Sequence, residues 1–102
     1  MIVNTNYLIA LLLIKRVKSY RNSYSLTKVL AWKFDIINFV ELIEKLTKQS
    51  MIEVKKINGI NHYEITEKGE TYLNENLEDA KPFILQKYLT EKDFINTLFD
   101  KL

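Results

Sequence analysis

The chain has no cysteine, one histidine, one proline and two glycines. Without cysteine there is no disulfide framework and no thiolate metal site, which allows a reducing compartment. A lone histidine, His62, gives neither a multi-histidine metal site nor a histidine-dependent triad. So little Gly and Pro leaves few interruptions, which favours helix. Long hydrophobic runs are also missing. The longest, Tyr7 to Ile14, is far too short to span a bilayer. It has no basic residues before it and no small-residue cleavage site after it, so no signal peptide and no membrane partner are expected, and the expected location is cytoplasmic. No Gly-rich phosphate loop, no paired carboxylates in an apolar run and no nucleophile motif occur. No catalytic residue, cofactor or metal is therefore expected, and an enzyme is the least supported class.

What is present is the composition of a globular domain: 102 residues, 47% hydrophobic and 27% charged. The net charge of +2 is unevenly placed. Residues 1–34 carry Lys15, Arg16, Lys18, Arg21, Lys28 and Lys33 with no acid. Glu67 to Ala80 carry Glu67, Glu70, Glu75, Glu78 and Asp79 against Lys68 alone. Such polarity suits a module with one face toward a polyanion, or a solvated surface whose charge is merely uneven.

Asn58-Gly59 between two β-prone runs predicts a type I′ hairpin, because that turn needs positive φ at both central residues. The register then pairs Ile57 with Ile60, Lys55 with His62, Val54 with Tyr63, Glu53 with Glu64 and Ile52 with Ile65. Ile52, Val54, Tyr63 and Ile65 share one face, while Glu53, Lys55, His62 and Glu64 make a wet one. Glu53 opposite Glu64 is a like-charge cost that Lys55 can relieve diagonally. Thr66 caps a following helix, and Gly69 one turn in lets that helix approach a neighbour closely.

Upstream, Thr5 or Asn6 caps a first helix over Tyr7–Tyr20, whose wide apolar belt predicts burial on more than one side. Tyr24 is a strand stub. Ser25 or Thr27 caps a second helix with Leu26, Val29 and Leu30 inward. Asp35 caps a third over Ile36–Gln49, with Ile36, Phe39, Leu42, Ile43 and Leu46 inward. Downstream, Asp79 to Pro82 is a break. Phe83, Ile84, Leu85, Tyr88 and Leu89 exceed one helix face, and Thr90 with Asp93 starts a last helix with Phe94, Ile95, Leu98, Phe99 and Leu102 on one stripe.

The order helix, stub, helix, helix, strand, strand, helix resembles the winged helix-turn-helix superfamily over Tyr7 to Leu77. Its most specific part is Leu46-x-x-x-Ser50-Met51-Ile52, leading to Tyr63-Glu-Ile-Thr66-Glu-Lys-Gly69. That stretch is similar to the L-x-x-x-G-L-I … Y-x-L-T-x-x-G pattern of MarR-like and PadR-like transcriptional regulators, with Ser50 in place of the usual Gly. The resemblance implies a mainly α fold with a small antiparallel β-hairpin wing at 1–78, plus C-terminal helices at 79–102. It also implies double-stranded DNA as partner, with the third helix in the major groove and the wing over the backbone.

Carried onto this sequence, the expected DNA contacts are Asn38, Glu41, Lys45 and Lys48 on the third helix. Ser25, Thr27, Lys28 and Lys33 follow on the second helix, and Lys55, Lys56, Asn58, Asn61 and His62 on the wing. Asn38 suits adenine and Lys45 and Lys48 suit phosphate. Ile37 and Val40 are apolar where such regulators usually carry Ser, Thr or Arg, and Glu41 and Glu44 would face a polyanion. These residues fit an alternative, a protein-interaction module that docks through Ile37 and Val40. Trp32 and Tyr7, Tyr20, Tyr24 and Tyr63 read as core or interface rather than a base-stacking platform. The tail either folds back on its own first helix or meets a second copy. Winged-helix regulators commonly dimerise through flanking helices, so a homodimer through the first helix and Phe94, Ile95, Leu98 and Phe99 is expected.

Overall fold

A computed structural model describes residues 4–100 as a mainly helical protein with one two-stranded antiparallel hairpin. Helix α1 (Thr5–Arg16) is capped by Asn4, whose side-chain oxygen accepts from the N–H groups of Asn6 and Tyr7. The cap thus precedes Thr5 and Asn6, both inside the helix. The helix also stops short of Tyr20. The Arg21 guanidinium donates to the carbonyls of Ile14 at 2.6 Å and Lys15 at 3.0 Å. It occupies acceptors that a helix end leaves open, and a 3-10 turn over Lys18–Tyr20 follows.

Helix α2 (Ser23–Phe34) takes its cap from Asn22, which accepts from Ser25 N–H at 2.9 Å, rather than from Ser25 or Thr27. Tyr24 is consequently helical and exposed. The extended stub lies two residues earlier: Tyr63 N–H donates to Arg21 O at 2.7 Å, and Asn22 bridges to His62. Asp35 ends α2 instead of starting the next helix. It sits in the left-handed region at φ 52°, and Ile36 N–H closes back on Leu30 O at 2.9 Å. Helix α3 (Phe39–Lys48) therefore begins later than Ile36. Its inward set is nevertheless the expected one: Ile36, Leu42 and Leu46 are buried, with Phe39 and Ile43 half-buried.

Strands β1 (Ile52–Ile57) and β2 (Ile60–Ile65) pair in the register read from the sequence, from Ile52↔Ile65 to Ile57↔Ile60. The turn has φ 53° at Asn58 and 79° at Gly59, as type I′ requires. Lys55 meets Glu64 at 3.5 Å, relieving the Glu53–Glu64 pair. Ile52 and Tyr63 are buried, whereas Val54, on the same face, lies further out and is exposed.

Strand and helix converge at Met51. Ser50 takes the left-handed conformation at φ 62°, and Met51 N–H donates to Leu46 O at 2.9 Å. Thr66 N–H donates to Met51 O at 3.0 Å, and the Thr66 hydroxyl donates to Ser50 O at 2.6 Å while accepting from Gly69 N–H at 3.0 Å. A Cβ on Gly69 would stand 2.2 Å from Met51 O and 2.8 Å from Ile65 Cγ1.

Helix α4 (Glu67–Lys87) runs unbroken through Asp79–Pro82, contrary to the expected break. Pro82 faces solvent, while Ala80 and Ile84 on either side are buried in the common core. That burial offsets an interior proline's cost of roughly 3 kcal/mol. A 3-10 turn at Leu89–Glu91 leads to helix α5 (Lys92–Asp100), so Thr90 precedes the helix rather than starting it. Of the expected tail 79–102, the described residues 79–100 do not stand apart. Ile95 and Leu98 are buried in the same cluster as Leu8–Ile14, and α5 packs on α1. Phe94 stacks at an angle on Phe34 and Tyr20, and Phe99 lies under the Lys81 ammonium. The first helix and tail expected to form a dimer face are thus packed on each other within one chain. Leu102 lies outside the described residues.

The two glycines should respond to substitution for different reasons. Gly69→Ala, which helix propensity alone would favour by about 1 kcal/mol, should instead destabilise by about 1–3 kcal/mol through overpacking against Met51. Gly59 has open space around it; there Gly59→Val should cost about 1–2 kcal/mol from positive φ alone. Urea unfolding midpoints check both, and a stabilised Gly69→Ala variant would contradict the Met51 contact.

Candidate nucleic-acid interface

The basic first third of the sequence does not survive folding as a uniformly basic face. Arg21 closes the end of α1, Lys15 reaches Glu70 at 3.7 Å, and Lys33 meets Glu91 at 3.1 Å. Of the acidic stretch of α4, Glu70 thus reaches the basic stretch, at Lys15, while Glu91 of the following 3-10 turn meets Lys33. Lys33 also lies 4.8 Å from the centre of the Phe94 ring. It pins the 3-10 turn and α5 to α2, which removes it from the expected phosphate contacts.

The remaining expected residues gather around α3, the start of α2 and the hairpin. On the outward side of α3 stand Val40, Glu41, Glu44, Lys45 and Lys48, all exposed. Glu41 and Lys45 form an i,i+4 pair at 2.9 Å. The Glu41 hydrogen bond, and then its charge, raises the Lys45 ammonium above its ordinary pKa. This pair is largely self-neutral, leaving Lys48 and Glu44 as the unpaired charges of α3 among the described residues. Asn38 occupies the N-cap position but makes no capping bond, so its exposed amide is not committed to the helix. It lines a cleft with Glu41, Lys45 and the start of α1.

On the other flank, Ser23, Tyr24, Thr27 and Lys28 of α2 face Ile37, Phe39 and Val40 across an open groove. Thr27 donates its hydroxyl back to Ser23 O, while Ser25 lies on the opposite flank of α2 beside Tyr20 and Val29. Lys28 is exposed, with its ammonium 5.7 Å from the centre of the Trp32 ring. On the hairpin, Lys56, Asn58 and Asn61 are exposed at the tip, and Lys55 is held by Glu64. His62 is half-buried against Asn22 and so belongs to the strand–stub junction more than to the tip.

The aromatic residues divide. Tyr63 is buried, and burial pushes its phenol above its ordinary pKa; Tyr7 and Tyr20 are half-buried. Tyr24 and Trp32, however, are 74% and 79% exposed, beside Ile37 at 77% and Val40 at 70%. Tyr24, Ile37 and Val40 line the α2–α3 groove, whereas Trp32 stands on the other flank of α2 with Ser25 and Val29. The sequence marked Ile37 and Val40 as unusual there, but carried no signal for Trp32, whose residue type more often packs inward.

Among the described residues, no three His, Asp or Glu side chains come together to hold a metal, and no helix is long and apolar enough to cross a membrane. No family model, curated protein or solved structure matches the chain.

The two kinds of lysine are separable by stability. Lys33→Ala should lower it by about 0.5–1 kcal/mol, with a Lys33–Glu91 coupling of a few tenths to 1 kcal/mol in a double-mutant cycle. Lys28→Ala and Lys48→Ala should stay within about 0.5 kcal/mol of wild type. Denaturant midpoints of the set decide it.

Proposed function

We propose that this chain is a winged helix-turn-helix protein that binds duplex DNA in transcriptional regulation, with α3 toward the major groove and the hairpin as the wing. The observation that carries this reading is a division of labour. The start of α2, the outward side of α3 and the hairpin tip take little part in the core, while the stub, β2 and Met51 junction fix them to one another. The chemistry at these positions suits a nucleic acid. Lys28, Lys48 and Lys56 are exposed cations without an ion-pair partner among the described residues. Asn58 and Asn61 lie at the tip, and Asn38 offers a free amide at the helix start. Phosphate contacts of this kind position a protein, and base-edge contacts specify the site.

The reading is made for one chain, because among the tail residues expected to carry a homodimer Ile95 and Leu98 are buried in the fold and Phe94 and Phe99 pack against its core. It assigns the chain no catalysis. A second reading is favoured by the exposure of Tyr24, Ile37 and Val40: the same face docks a protein, since Tyr is among the anchors of such interfaces.

Fluorescence anisotropy of labelled duplexes across a salt series separates the two. Duplex binding predicts a negative slope of log K against log salt of roughly 0.9 per phosphate neutralised. Replacing Lys28 and Lys56 together by Ala should flatten that slope by about two units and weaken all sequences alike. Absence of binding to random and genomic duplexes at low salt would remove the regulator reading and leave the protein-docking one.

A further inference from the structure

We infer that the start of α3 is a reader of A·T base pairs, in which Ile37 and Val40 bury thymine methyl groups and Asn38 takes the adenine edge. This inference rests on the duplex-DNA reading of the same face and goes beyond it by naming the class of sequence bound.

Ile37 and Val40 are the residues that most resist a phosphate-binding account. Both are β-branched, apolar and more than two-thirds exposed, although Ile36 and Phe39 between and beside them supply the inward contacts. Neither contributes to the core, so their apolar character has no use in the isolated fold. Their location does give them one. They sit at the turn before α3 and in its first turn, and the first residues of a recognition helix are those that reach base edges. In the major groove the thymine C5 methyl is the apolar group that a base edge presents, and it is absent from G·C pairs. An aliphatic side chain pressed on a G·C edge would instead desolvate the cytosine amine or guanine carbonyl without pairing it.

Asn38 completes the pair. It follows Ile37 in the chain but opens on the other flank of α3, in the cleft with Glu41 and Lys45, and its side chain makes no capping bond. An asparagine amide matches the N6 donor and N7 acceptor of adenine, the partner of the methylated base. Charge around the patch is compatible with a duplex. Lys28 lines the same groove as Ile37 and Val40, and Lys48 lies on the outward side of α3. Glu41 is held by Lys45 at 2.9 Å. Glu44 has no ion-pair partner among the described residues; it opposes the phosphates, weakening non-specific binding and leaving more of the affinity to base contacts.

The test has two stages, each on the full chain. Selection from random duplexes should return a site with adjacent A·T pairs. That site is then synthesised with deoxyuridine for thymidine, which deletes the methyl groups and retains every Watson–Crick edge. Wild-type protein should lose roughly fourfold in affinity per buried methyl. Ile37→Ser/Val40→Ser protein should bind both duplexes equally, with its salt slope and unfolding midpoint unchanged, which separates methyl contact from any change in duplex flexibility. Equal wild-type affinity for the two duplexes, or selection of a G·C core, overturns this inference and leaves duplex binding standing. Failure to bind any duplex at low salt overturns both.

Discussion

Seven successive side chains, Leu8 to Ile14, are buried in α1. Successive residues on a helix point about 100° apart, so one neighbour cannot cover seven in a row. Partners must close on every side, and α2, α3, α4, α5 and β2 all pack on α1. This constraint explains why α5 folds back within the chain and why α4 continues through Pro82. Stopping α4 at Asp79 would withdraw Ala80 and Ile84 from the shared cluster. The energetic comparison is direct. A proline costs roughly 3 kcal/mol inside a helix, and a buried Ile side chain alone contributes about 1.5–3 kcal/mol.

The same closure governs charge. Bringing α4 alongside α1 sets Glu70 near Lys15, and bringing α5 against α2 sets Glu91 against Lys33. Sequence asymmetry, basic early and acidic later, is therefore partly a device for joining the two halves. On the surfaces of α2, α3 and the hairpin, Lys28, Lys48 and Lys56 remain exposed cations without an ion-pair partner among the described residues. On the proposed duplex reading, so few cations leave much of the recognition to base-edge contacts.

Legibility in the sequence followed the range of the interaction. The hairpin register came out residue for residue, because Asn58-Gly59 and period-two alternation are local signals that tolerate no slip. The close approach at Gly69 was legible too, since a glycine one turn into a capped helix implies a missing Cβ. The caps of α1, α2 and α3 lie one to five residues from where the sequence puts them, whereas Thr66 caps α4 as read. Asn4, Thr5 and Asn6 all have capping chemistry, as do Asn22, Ser23, Ser25 and Thr27. For α2 the choice is made at a distance, by the Tyr63–Arg21 bond that extends the chain before it; Arg21 on the carbonyls of Ile14 and Lys15 sets where α1 ends, not where it begins. Within the candidate site, Lys28 and Lys33 look alike in sequence. Only the fold separates them, by bringing up Glu91 from 58 residues away.

The Met51 junction determines how such a face can act. Leu46 at the end of α3, Met51 before β1, Thr66 after β2 and Gly69 in α4 are joined by backbone or cap hydrogen bonds of 2.9–3.0 Å. The closest approach at Gly69 is to the Met51 main chain, with the Ile65 side chain beside it. The hairpin is held at its other edge by Arg21 and Asn22, which also start α2. Each element of the candidate face is thus tied to the next through backbone hydrogen bonds. A ligand meeting this face pays little to order it. Discrimination must then come from side chains at fixed positions, which is where Ile37, Asn38 and Val40 stand.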